Sequence, residues 1–225
     1  MKDLKKKYIV KYIDAFNATI SSVKLQKKEI ENFYETLVKF QNKNNVHIFG
    51  NGGSASIASH FSMDLTNNSN IKCYSYNDPA LISCYANDFK YENWVSRVIE
   101  KYGNKNDLLI LISSSGESKN MLNAVLTAKK KKFFKIVTFT GFDTRNSLKN
   151  KGDINIWIDS KMYKAFPCAN YKLFNASNNI SFFNASVKDH LPVNVSLNSS
   201  NSNGSIEYLA NYAFIGFKRP DFVEA

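Results

Sequence analysis

Apolar residues recur at helical spacing from about Asp3 to Gln41. Ile9, Tyr12, Ile13 and Phe16, then Ile30, Phe33, Leu37 and Phe40, are separated by Lys and Glu, which predicts two helices or one bent helix. Short apolar runs and helical patterns then alternate. Strands are predicted over Val46–Phe49, Lys72–Tyr76, Leu108–Ser113, Phe134–Thr140 and Ile154–Ile158. Between them the pattern predicts helices over Gly53–Leu65, Ala80–Tyr85, Glu92–Lys101, Lys119–Lys131 and Thr144–Lys149. Strands that are apolar throughout and separated by helices imply an α/β fold: a parallel five-stranded sheet with helices on both faces, preceded by N-terminal helices.

After Ser160 the pattern changes. Asn and Ser become frequent, no period is sustained, and Ser196–Ser205 reads as a polar loop or linker before the apolar, aromatic stretch Ile206–Phe217. The expected organisation is one α/β domain over residues 1–160 and an irregular, Asn/Ser-rich C-terminal extension over 161–225. Composition changes this picture little. The net charge of +11 would suit an anionic partner. However, the densest basic run, Lys129–Lys132, falls where a helix should end and where positive charge is electrostatically favourable. Aromatic residues are not interleaved with a basic stripe, so nucleic acid is not an expected partner. The three cysteines, Cys73, Cys84 and Cys168, have no metal-type spacing and cannot all pair, which points to a reducing cytoplasm. The basic N-terminus lacks the apolar run of a signal peptide, and no stretch is apolar enough to span a bilayer, so no membrane partner is expected.

Two turns carry the candidate chemistry. Ile48-Phe49-Gly50-Asn51-Gly52-Gly53-Ser54 runs from a strand through a glycine turn into a helix, where backbone N–H groups can approach an anion closely. The third strand leads into Ser113-Ser114-Ser115-Gly116-Glu117-Ser118 and then another helix. A serine-rich turn alone is an ordinary N-cap and loop signal. Two such turns at the carboxyl ends of parallel strands, however, can face one crevice and hold a phosphomonoester. On the helix after the glycine turn, His60 and Asp64 stand one turn apart, able to form an ion pair or half a metal site. His47, inside the first strand, reads as structural, and Trp94 and Trp157 read as core or subunit interface. Asn87-Asp88 could be a simple helix end and turn.

These residues resemble the sugar isomerase (SIS) family and, within it, the phosphoheptose isomerase branch. The resemblance rests on Phe49–Ser54 with His60 and Asp64, on Cys84-Tyr85-Ala86-Asn87-Asp88-Phe89, and on Ile112–Ser118 with Thr138-Phe139-Thr140-Gly141. It runs from the N-terminal helices to about Lys161 and implies a flavodoxin-like sheet. It further implies that Ser113, Ser114, Ser115 and Ser118 bind the phosphate. Asn51, Gly52, Gly53 and Ser54 would line the same crevice, and Asn87 and Asp88 would contact sugar hydroxyls. The implied reaction interconverts a ketose and an aldose heptose phosphate through an enediol, supplying heptose for lipopolysaccharide or capsule, in an oligomer, tetramer or dimer, that shares sites between subunits.

In the family the carbon base is a glutamate four residues after a histidine. Asp64 holds that place here, and its shorter arm sets the carboxylate back by about 1 Å, a misplacement that can cost on the order of 10²-fold in rate. The family's other catalytic group is a histidine on a C-terminal helix accompanied by a glutamine, and some members bind zinc through these two together with the first-helix pair. The resemblance thus makes His60 and Asp64 the catalytic residues and two of four zinc ligands. The other two ligands are not recognisable: no Gln follows Gln41, and the only later histidine, His190, precedes Leu191-Pro192. The alternative function is a SIS module that binds or senses a phosphosugar without turnover.

Overall fold

The computed structural model describes residues 11, 13–15, 17–19, 21–40 and 44–159. The expected extension, His190 and Cys168 lie outside the described residues. Its elements are α1 (Lys27–Phe40), β1 (Val46–Gly50), α2 (Gly53–Ser69), β2 (Cys73–Ser75), α3 (Pro79–Phe89), α4 (Trp94–Tyr102), β3 (Leu108–Ser113), α5 (Lys119–Lys130), β4 (Lys135–Gly141) and β5 (Ile154–Ile158). The strands form one sheet in the order β2-β1-β3-β4-β5, and every pairing is parallel. That is the flavodoxin-like order.

The alternation of side chains along β3 divides the core in two. Leu108, Ile110 and Ile112 meet Ile48, Phe139, Phe61 and Leu65 on one face, beneath α1 and α2. Leu109 and Leu111 meet Phe49, Trp94, Val98, Ile99, Met121 and Val125 on the other, beneath α4 and α5. Burial on both faces is why β1 and β3 are buried at every position and read as unbroken apolar runs. In β5, at the edge, burial alternates. Phe33, Leu37 and Phe40 are the buried stripe of α1, and the Phe33 ring meets Phe139 edge-on at 5.3 Å between centroids.

A 3-10 turn, Lys24–Gln26, separates α1 from the helical residues before it. Its Gln26 side chain accepts from the Trp157 N–H at 2.8 Å and donates to the Trp157 carbonyl, satisfying backbone on the outer edge of β5. The helix expected over Thr144–Lys149 is instead a series of turns. Asp143 accepts from Arg145 N at 2.8 Å and the Asn146 side chain bonds the carbonyls of Gly141 and Asp143, local bonds that compete with the helical ladder. Ile13, expected on a buried face, is 50% exposed. Among the described residues, no helix is long and apolar enough to cross a membrane.

His47 is structural, as its place in β1 suggested. It is buried, with Nδ1 2.8 Å from the Tyr76 hydroxyl and Nε2 2.9 Å from Asp107 Oδ2, and burial lowers its pKa below the ordinary histidine value despite the opposing pull of Asp107. Lys131, in the basic run after α5, donates to the carbonyls of Ile99 and Glu100 at 3.2 and 2.7 Å, neutralising the carboxyl end of α4.

Candidate active site

The strand order reverses direction at β1 and β3. The connection leaving β1 crosses one face of the sheet through α2, and the connection leaving β3 crosses the other through α5. A crevice therefore opens between their carboxyl ends, the usual ligand position in such sheets.

On one side of the crevice Gly50 brings β1 against the start of α2. A Cβ at Gly50 would stand 2.4 Å from the backbone carbon and oxygen of Ser54, closer than real contacts allow, so only glycine permits this approach. Gly52 then caps α2, Asn51 O accepts from Ser54 N at 3.0 Å and Gly52 O from Ala55 N at 3.0 Å. Asn51 is half-buried, Gly52 and Gly53 are exposed, and the Ser54 side chain is buried under the turn.

On the other side, the serine loop is held from within and from behind. Ser113 is buried; its hydroxyl accepts from Gly116 N at 3.2 Å and donates to Ser118 Oγ at 3.3 Å. Ser115 Oγ accepts from Glu117 N at 3.2 Å. Gly116 has φ +67°, and a Cβ there would strike Asn146 Oδ1 at 2.0 Å. The turns that replaced the expected helix grip the loop: Gly141 N donates to Ser114 O and Leu148 N to Gly116 O, at 3.1 and 2.9 Å. The Glu117 carboxylate accepts from Ser147 N and Ser147 Oγ at 2.6 and 2.7 Å. Ser114, Ser115 and Ser118 are half-buried and Ser118 is the N-cap of α5, so this loop presents hydroxyls and a helix N-terminus together.

The two turns are joined by a residue the sequence reading passed over. Asn120, on the first turn of α5 and 2% exposed, donates through Nδ2 to Asn51 Oδ1 at 2.9 Å and accepts from Asn51 Nδ2 at 3.1 Å. The Tyr91 hydroxyl adds a bond to Asn51 Oδ1 at 3.1 Å.

His60 and Asp64 form the expected pair, with Nε2 3.4 Å from Oδ2 and side chains 44% and 14% exposed. They stand about two and three turns along α2 from the glycine turn. Among the described residues no three His, Cys, Asp or Glu side chains gather where a metal could sit. A closed zinc site takes four ligands, and His60 with Asp64 supplies two. Asn87 and Asp88 lie in the last turn of α3, not beyond it. Both are exposed, with Asn87 Nδ2 donating to Asp88 Oδ1 at 3.0 Å.

A family description, "SIS domain", matches residues 11–141. The chain belongs to the SIS domain family. It is 36% identical to the phosphoheptose isomerase of Buchnera aphidicola subsp. Acyrthosiphon pisum (strain APS) over 162 residues, spanning 68% of this chain and 83% of that one. It is 46% identical to the phosphoheptose isomerase of Cytophaga hutchinsonii over 99 residues, 42% of this chain and 51% of the relative. Its fold matches the structure of a phosphoheptose isomerase from Francisella tularensis with TM-score 0.69 at 23% identity, covering 81% of this chain and 98% of that one. The SIS assignment agrees with the parallel sheet and with two helix-starting turns at its switch point.

Proposed function

We propose that this SIS domain protein is a phosphoheptose isomerase acting on a heptose phosphate of the sedoheptulose 7-phosphate type. The observation that carries the reading is the pair of phosphate-suited turns linked across the switch point, in a chain whose curated relatives are phosphoheptose isomerases over most of their length. The phosphate sits on Ser114, Ser115, Ser118 and the N-terminus of α5, with the Ser113 hydroxyl holding the loop rather than the ligand. Asn51, Gly52 and Gly53 line the facing wall. Asn87 and Asp88 receive sugar hydroxyls at the mouth.

The isomerisation moves one proton from C1 of the ketose to C2 of the aldose and another from O1 to O2, through an enediol. Asp64 takes the carbon-bound proton, and His60 at 3.4 Å holds its carboxylate. General bases of this kind supply typically 10²–10⁴-fold in rate. His190 is the candidate for the hydroxyl proton.

The three turns of α2 between the glycine turn and Asp64 support a site completed by a second copy of the chain. The protein is accordingly a cytoplasmic homo-oligomer supplying heptose for surface polysaccharide, with residues 1–160 as its phosphosugar domain and 161–225 as an extension.

Asp64→Asn tests the assignment. It is expected to lower turnover of sedoheptulose 7-phosphate by at least ~10² while leaving the calorimetric affinity for this sugar within a few-fold. Turnover equal to that of the unmodified chain refutes it.

A further inference from the structure

The Asn51 and Asn120 amides are oriented by a chain of hydrogen bonds. An asparagine carbonyl has two acceptor positions and its NH₂ two donors. The backbone N–H of Met121 is shared between Ser118 O at 3.0 Å and Asn120 Oδ1 at 3.1 Å, and a backbone N–H can only donate, so the Asn120 atom facing it is oxygen. That same oxygen accepts from Asn51 Nδ2 at 3.1 Å, and Asn120 Nδ2 donates to Asn51 Oδ1 at 2.9 Å. Turning the Asn51 amide over would set nitrogen against nitrogen and oxygen against oxygen, losing both bonds. With the Tyr91 hydroxyl also on Asn51 Oδ1 at 3.1 Å, both acceptor positions of that oxygen are filled. The second N–H of Asn51 Nδ2 has no partner among the described residues.

We propose that Asn120 is a positioning residue for the isomerisation: together with the Tyr91 hydroxyl it locks Asn51 so that its side chain offers the crevice one N–H donor and no acceptor. The proposal rests on the phosphoheptose isomerase reading. A locked donor selects an acceptor oxygen of the sugar phosphate at that point, whether phosphoryl, carbonyl or enediolate, and turns away a group that can only donate. Against an oxygen that gains charge during the reaction, a preset donor costs no reorganisation. Asn120 itself is 2% exposed and its carbonyl is saturated by Met121 and Asn51, so its influence on substrate passes through Asn51.

A double-mutant cycle on the full chain separates this from a general structural role. With sedoheptulose 7-phosphate, Asn51→Ala and Asn120→Ala are each expected to lower kcat/KM by roughly 10–10²-fold, and the double variant to fall within about two-fold of Asn51→Ala. Tyr91→Phe, at an exposed position that tolerates change, should lower kcat/KM by about 2–5-fold alone and by nothing on the Asn51→Ala background. Losses that multiply in either cycle overturn the proposal. A second readout is free of catalysis: in side-chain amide NMR of the ligand-free chain, the one Asn51 Nδ2 proton bonded to Asn120 should be protected from exchange, unlike its geminal partner, and should lose that protection in Asn120→Ala. Unchanged protection overturns the proposal, whatever the turnover. If the unmodified chain neither converts nor binds sedoheptulose 7-phosphate, the isomerase reading fails, and the amide spectrum alone then decides for or against the lock.

Discussion

Replacing Gly50 with alanine tests whether the close approach of β1 to α2 builds the crevice. The added methyl would lie 2.4 Å from the carbon and oxygen of the Ser54 backbone and 2.8 Å from Ala55 N. Ordinary contact begins at 3.4 Å, so the first turn of α2 must retreat by about 1 Å, and no flexible side chain is available to yield in its place. Overpacking of this sort costs typically 1–3 kcal/mol. For a chain of this size that is a fall in Tm of about 2–12 °C. The same 1 Å moves Asn51, Gly52 and Gly53 away from the serine loop, and displacements of that size cost on the order of 10²-fold in rate, equivalent to about 2.7 kcal/mol in the barrier. Thermal unfolding and turnover of sedoheptulose 7-phosphate, measured on one preparation, read both effects. Because the loss of rate comes from geometry, it must persist well below Tm, where the variant is fully folded. An unchanged Tm with unchanged kcat/KM would refute the packing argument.

Three further outcomes follow from the same contacts. Phe33→Ala removes the ring that joins α1 to Phe139 and Phe61 and should cost about 3–5 kcal/mol in urea unfolding; a loss below 1 kcal/mol would mean that α1 is not anchored there. His47 is held neutral by burial, so the unfolded chain takes up its proton first. Stability is therefore full above about pH 6.5 and is lost as pH falls from there toward the lowered folded pKa. In His47→Gln that part of the slope should vanish from unfolding curves between pH 5 and 7, and an identical slope contradicts the burial argument. Asp64→Glu extends the carboxylate by about 1 Å and should raise kcat by as much as 10–10²-fold, whereas a lower kcat would show that the site is built around the shorter arm.

The sheet was legible because β1 and β3 are buried on both faces and therefore run apolar without interruption, while helix spacing in Phe33, Leu37 and Phe40 marked the stripe that covers them. The two turns were legible because they come as a pair at the carboxyl ends of parallel strands, where one alone would be an ordinary cap and loop signal. What the sequence concealed lies in contacts between distant residues. Asn120 looks like any polar helix residue until the strand order brings it opposite Asn51, 69 positions earlier. Thr144–Lys149 follows helix composition, but Asp143 and Asn146 take the backbone bonds a helix would need and turn the segment into a clamp for the serine loop. The Glu117–Ser147 contact follows from that clamp and has no local signature. His60 and Asp64 were visible as a pair, and their spacing along α2 set them two and three turns from the glycine turn.

The most direct test of the isomerase account is incubation of the purified full chain with sedoheptulose 7-phosphate in D₂O, followed by NMR. The account predicts an aldose heptose phosphate that carries solvent deuterium at C2. Binding of the sugar phosphate with neither aldose formation nor deuterium exchange would contradict it.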